Sequence, residues 1–162
     1  MSDVSYKELS LNGLWKNNPA IVRYFEWVGE LASDGDFTMI QKHSGRYRGG
    51  VSFCNGCNTT FQGMAADGIK EASWLVRKEF YNKDSALFGS RTWLLLHDEL
   101  LLEVPAYRLH TAAMRASAIM VDTMHKYTKT IKPKAEPAAM LRWYKDAEPV
   151  YEGGRLVPWE PS

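Results

Sequence analysis

The sequence predicts an α+β fold in which an antiparallel β-hairpin packs against long α-helices. Three observations lead to it. Apolar residues recur at helical spacing in three separate stretches, and one strongly apolar run carries an acid at its centre. The third is size: 162 residues suit one compact domain, here expected to span residues 1–162 with 1–13 flexible. Hydrophobic residues at 45% and charged residues at 24% are ordinary for a globular chain, which excludes a disordered or fibrous class.

The first helix is announced by Asn17-Asn18-Pro19, a cap followed by a first-turn proline. Ile21, Phe25, Val28 and Ala32 then recur on one face until Asp34-Gly35-Asp36 stops the pattern. Phe37–Ile40 reads as a short β run. From there to Asn58, glycines and polar residues suggest a long, exposed connection. A second helix is expected from about Thr59 to Phe80, with Phe61, Ala65, Ile69, Ala72, Val76 and Phe80 along one face and Asn82-Lys83-Asp84-Ser85 as its stop. A third follows Pro105, from about Ala106 to Tyr127, with Leu109, Ala113, Ala116, Met120 and Tyr127 in its stripe. Lys132–Pro137 looks extended, and the tail from Gly153 to Trp159 forms either a small hairpin or an irregular packed segment.

Between the second and third helices lies Arg91–Pro105, apolar throughout except around His97-Asp98-Glu99. Periodicity alone does not separate a buried helix from two short strands here. The acid decides it. A lone carboxylate inside an apolar element is costly to bury, whereas two strands joined at His97-Asp98 place it on a turn and leave the leucines on a sheet. Asp98 and Glu99 then form an oxygen-rich tip suited to Mg²⁺, a hard cation that accepts one or two carboxylates and keeps waters or phosphates for the rest. Successive side chains of extended backbone point apart, so Asp98 is the expected ligand and Glu99 a nearby support.

The net charge of +1 gives no overall field for a nucleic acid, so any such contact must rest on a local patch. Lys42-His43-Ser44-Gly45-Arg46-Tyr47-Arg48 is the candidate, against a plain solvated basic loop. Cys54 and Cys57 make a lone CxxC. A zinc site would need two further ligands, with His43 the nearby candidate, and the strand-then-helix setting of a redox CxxC is not evident. No apolar run approaches the roughly 20 residues that cross a membrane, and Met1–Ser5 lack a secretory layout, so a cytoplasmic chain is expected.

About thirty residues before the acidic tip the chain reads Asn58-Thr59-Thr60-Phe61-Gln62-Gly63-Met64-Ala65-Ala66-Asp67. With Leu94–Pro105 in the right order after it, the sequence resembles the palm of family A DNA polymerases. Gly45-Arg46-Tyr47-Arg48 is similar to the basic glycine loop before that helix. Arg142-Trp143-Tyr144-Lys145 and Gly154–Trp159 look like the phage members of the family. The likeness runs from about Leu14 onward and implies a partial palm acting in DNA-directed DNA synthesis, in the host cytoplasm if phage-encoded. It implies that Asp98 binds the catalytic Mg²⁺, that Glu99 is the adjacent acid, and that His97 helps to position the primer end. Asn58 and Gln62, one helical turn apart, would contact the primer–template minor groove, whose acceptors recur for every correct base pair. Lys42, Arg46 and Arg48 would contact DNA, and dNTP would be the second substrate.

The departures are as telling. The family's first catalytic aspartate, its fingers helix and its thumb have no counterpart before Trp15, and Cys54 stands where several relatives carry arginine. The resemblance therefore implies one piece of a split polymerase, completed by a second chain that brings fingers, thumb and first aspartate. The start at Met1 and the orderly tail agree with a short gene product. The face left by the missing palm half should be apolar, in keeping with six tryptophans. The rivals are a non-catalytic remnant that binds DNA or a replication partner, and a phosphohydrolase using His97-Asp98 as an HD pair. The last requires that pair on a helix, with His43 and Asp122 converging.

Overall fold

A computed structural model describes residues 17–161, so the expectation of flexibility at 1–13 lies outside the described residues. The chain divides into two compact units, Met1–Met64 and Ala65–Ser162. The class is α+β: three α-helices and three two-stranded antiparallel sheets among the described residues.

In the first unit, α1 spans Pro19–Leu31 with Asn18 at its cap and the proline in its first turn, as the sequence suggests. Gly35, at φ +107, turns the chain into β1, Phe37–Ile40. β1 pairs with β2, Tyr47–Val51, in the register Phe37↔Val51 and Ile40↔Tyr47. This corrects the long exposed connection expected between Phe37 and Asn58. Gly49-Gly50 disguise β2, since glycine is a weak strand former, and its outer residues face water. The next helix, α2, starts at Phe53 rather than Thr59 and ends at Glu79.

Val28, Met39 and Val51 are the buried apolar residues of this unit among the described residues. Gly56 lets α2 come close to them. A Cβ there would stand 2.8 Å from Phe37 Cζ and 2.9 Å from Val28 Cγ1, closer than carbon atoms tolerate. Tyr24 adds a polar clasp, donating its hydroxyl hydrogen to the Cys57 carbonyl at 2.9 Å.

The core of the second unit joins Val76 and Phe80 to Leu87, Ala112, Ala116 and Ile119. Burial of a side chain such as Leu87 stabilises by about 1.5–3 kcal/mol. β3 (Arg91–Leu96) and β4 (Glu99–Glu103) form the hairpin read from the sequence. Leu100 and Leu102, two apart and so on one face of β4, pack against this core with Val104. A 3₁₀ turn, Ala106–Arg108, leads into α3, Leu109–Thr128. The buried stripe of α3 is Ala112, Ala116, Ile119 and Thr123, of which only Ala116 belongs to the expected face. Leu109, Ala113, Met120 and Tyr127 flank it, half-buried. The alternation of alanine and larger residues left two neighbouring faces almost equally apolar.

Polar pairs hold α2 and α3 within this unit. Arg115 grips Glu79 through two nitrogens, and Ser85 donates to the same carboxylate at 2.7 Å. Tyr127 donates to Glu71 at 2.7 Å and Lys126 to it at 3.1 Å. The Tyr127 phenol is pushed up to about 12, first by that hydrogen bond to Glu71 and then by burial. Lys132–Pro137 is irregular. The tail is a hairpin, β5 (Val150–Glu152) and β6 (Arg155–Val157), turning on Gly153-Gly154, both at positive φ as a tight two-residue turn requires. The Leu156 amide donates to His110 Nδ1 at 2.9 Å, which fastens the hairpin to α3.

Candidate functional site

The residues singled out in the sequence fall into two groups, one in each unit. In the second unit, Leu96 and Glu99 are the closing pair of the β3–β4 hairpin, and His97 and Asp98 are its two turn residues. A two-residue turn demands unusual backbone at its tip. His97 meets that demand at φ +52, where glycine is at ease and a histidine is strained. Strain of this kind costs about 1–3 kcal/mol and gathers at sites where a side chain is needed for something other than folding.

His97, Asp98 and Glu99 are all exposed. Among the described residues neither Asp98 nor Glu99 has an ion-pair partner. Nor do any three His, Cys, Asp or Glu side chains there converge to hold a metal ion. Asp98 does fit one mode of Mg²⁺ binding, in which a single carboxylate at an open edge leaves the other positions to water and phosphate. The HD-pair reading fails on geometry: His97 and Asp98 occupy a hairpin turn, not a helix.

In the first unit, Asn58 and Gln62 lie one turn apart on α2, both exposed. Asn58 reaches back to the Cys54 carbonyl at 3.4 Å. The basic loop is tied to this same helix. Arg48 donates to Thr59 Oγ1 at 2.8 Å and Arg46 to the Gly63 carbonyl at 3.3 Å, so both carry structural bonds beside any contact with DNA. Lys42 stays exposed near them in sequence.

Gln41 is not among the residues that the sequence singles out. It is buried and donates to the Thr59 carbonyl at 2.9 Å, resting on Gly63 so closely that any Cβ there would overlap its amide. This explains the glycine after Gln62. The available signal was a Gln at the end of an apolar strand, four residues before a turn glycine, and it is weak. Asp67, the last residue of the Asn58–Asp67 stretch, is also buried.

The CxxC is differently placed from its expected setting. Cys54 and Cys57 do follow a strand and open a helix, because β2 and the early start of α2 flank them. Burial, with Cys54 next, pushes the Cys57 thiol up rather than down, opposite to the shift of a reactive cysteine.

No family model, curated protein or solved structure matches the chain. No helix among the described residues is long and apolar enough to cross a membrane.

Proposed function

We propose that this chain supplies part of a DNA-directed DNA polymerase, contributing Asp98 to a Mg²⁺-dependent nucleotidyl-transfer centre. The observation that carries the reading is the hairpin tip. A carboxylate without a counter-ion among the described residues stands on a two-residue turn, beside a histidine kept in strained backbone. The Asn58–Asp67 stretch, lying on a helix as the resemblance implies, supports it.

In this reading Asp98 would hold the ion, Glu99 would add negative potential beside it, and His97 would orient the primer end. When bound, such an ion lowers the pKa of an attacking hydroxyl and offsets charge building on the phosphate. Asn58 and Gln62 would meet primer–template DNA along its minor groove, and Lys42, Arg46 and Arg48 its phosphates. One carboxylate is not a two-metal site. A second chain with fingers, thumb and the first aspartate completes it.

Two measurements test this. Mn²⁺ should broaden the amide resonances of His97–Leu100, and Asp98→Ala should abolish the broadening. With the second chain, primer–template and dNTP, Mg²⁺-dependent extension should fall at least about 100-fold in Asp98→Ala, the scale of a lost charge-stabilising group. Extension or biological activity unchanged by that substitution would sink the catalytic assignment and leave a non-catalytic DNA- or replisome-binding remnant.

A further inference from the structure

The tail hairpin is held to α3 by a bond that one protonation state alone can make. Gly153-Gly154 form a two-residue turn, so Glu152 and Arg155, which flank it, exchange ladder bonds. The next pair, Tyr151 and Leu156, does not. The Leu156 N–H therefore points off the outer edge of β6, where the hairpin offers it no acceptor. His110, in the first turn of α3, supplies one: its Nδ1 accepts that N–H at 2.9 Å. Leu156 is only 3% exposed, so the bond seats an apolar anchor as well as a strand.

An imidazole nitrogen accepts a hydrogen bond only while it carries no proton. The bond therefore requires the neutral ring, with its hydrogen on Nε2. Histidine is the side chain that gains charge between about pH 8 and pH 5. Both ring nitrogens are then donors, and two N–H groups would face each other across the junction.

We infer that His110 is a pH-sensitive latch: the tail hairpin is docked on α3 at neutral and alkaline pH and loosens from it in mild acid. The charged ring gains nothing by staying. It stands at the start of α3, where the helix dipole opposes added positive charge. A hollow of about 360 Å³ beside it is lined by Tyr107 from the 3₁₀ turn, Glu152 from β5 and Arg155 from β6. Arg108, next in that turn, donates to the Ser85 carbonyl at 2.8 Å. The hollow gives the ring room to turn, and Glu152 is the carboxylate there that can receive it. Beyond β6 the tail has ties that do not titrate in this range: the Trp159 amide donates to the Ala139 carbonyl at 2.7 Å, and Tyr144 stacks on Trp159. The hairpin thus swings on a fixed end and uncovers Leu156. None of this depends on the polymerase reading.

Amide hydrogen exchange of the full chain, corrected for the intrinsic rate at each pH, tests the latch. Protection of the Leu156 amide should fall about tenfold from about pH 8 to about pH 5.5, the scale of one lost hydrogen bond. Protection of Ile119, in the middle of α3, should hold, which separates the latch from acid unfolding. His110→Asn puts a carboxamide oxygen near the place of Nδ1 and takes up no proton, so Leu156 protection should lose its dependence on pH. His110→Ala should leave it low throughout. Proton–nitrogen spectra of the parent's His110 ring should show hydrogen on Nε2 alone at about pH 8, with Nδ1 protonating over the range in which exchange quickens. Leu156 protection that ignores pH in the parent overturns the latch. So does a loss that Ile119 shares, one that survives in a folded His110→Asn, or a ring that titrates elsewhere.

Discussion

Gly63→Ala separates two opposing effects that the structure sets against each other. In the interior of a helix as long as α2, alanine is favoured over glycine by about 0.5–1 kcal/mol. At Gly63 the new methyl would stand 2.0 Å from Gln41 Nε2 and 2.4 Å from its Cδ. Gln41 is buried, so it has little room to move aside, and moving breaks its 2.9 Å bond to the Thr59 carbonyl. An orphaned buried amide costs about 1–3 kcal/mol, and forcing a methyl into a filled site about 1–3 kcal/mol more. Steric and polar losses win, leaving a net destabilisation of about 1–5 kcal/mol. For a chain of this length each kcal/mol lowers Tm by about 2–4 °C. Gly68→Ala is the control. Its methyl would clash with the end of Met124, Cε at 2.7 Å and Sδ at 2.8 Å, a flexible thioether that can swing away, and would meet Tyr127 Cδ2 at an ordinary 3.5 Å. The helix gain then roughly cancels the repacking, and Tm should move little. Urea and thermal denaturation of both variants decide the matter; a Gly63→Ala protein as stable as Gly68→Ala would refute the account of Gln41.

Other perturbations follow from single contacts. His97→Gly should stabilise the chain by about 1 kcal/mol through relief of the positive φ, seen as a higher urea midpoint, while lowering primer extension if the histidine orients the primer. Tyr127 holds its proton more tightly in the folded state, so the stability this gives is whole below pH 10.0 and fades as pH climbs toward about 12. Tyr127→Phe should therefore lose less stability than the parent across that alkaline window, measured by urea titration at stepped pH. Glu71 and Glu79 are both held below the ordinary 4.5, by the Tyr127 hydrogen bond and by Arg115 respectively. What they contribute is present above pH 4.5 and disappears on acidification, and Glu79→Gln should flatten the acid limb of the stability curve. His110→Ala leaves the Leu156 amide without its acceptor, and its hydrogen exchange should quicken about tenfold for a loss of about 1.4 kcal/mol.

Strong local chemistry was legible in the sequence. Asn18-Pro19 and Gly35 bound the first helix because a missing N–H and a positive φ are properties of single residues. The hairpin was legible because Asp98 has nowhere to go in an apolar helix. What escaped was set by tertiary partners. β2 carries two glycines and is a strand only because Phe37–Ile40 supplies its bonds. The first six residues of α2 look like a loop because Gly56 is poor in helices, yet Gly56 is what lets the helix close on Phe37 and Val28. α3 turned by one position because Ala112 and Ile119, not Ala113 and Met120, meet Val76 and Leu87. At the candidate site, the positions of Asp98 and Gln62 followed from pattern, while the clasp of Gln41, Arg46 and Arg48 on α2 did not, since long polar side chains choose partners that no periodicity encodes.

That clasp has a kinetic meaning. The loop from Gln41 to Arg46 is closed on itself by Gln41 N–H to the Arg46 carbonyl and Gly45 N–H to the Gln41 carbonyl, at 2.9 and 2.8 Å. Gln41 and Arg46 then tether both of its ends to successive turns of α2. Such a ring opens only when several bonds break together, so its amides should exchange as one cooperative step with the start of the helix. In the proposed reading, a polyanion arriving at Lys42 would meet a loop already immobilised, and binding there would forfeit little of the ordering entropy that a free basic loop would lose.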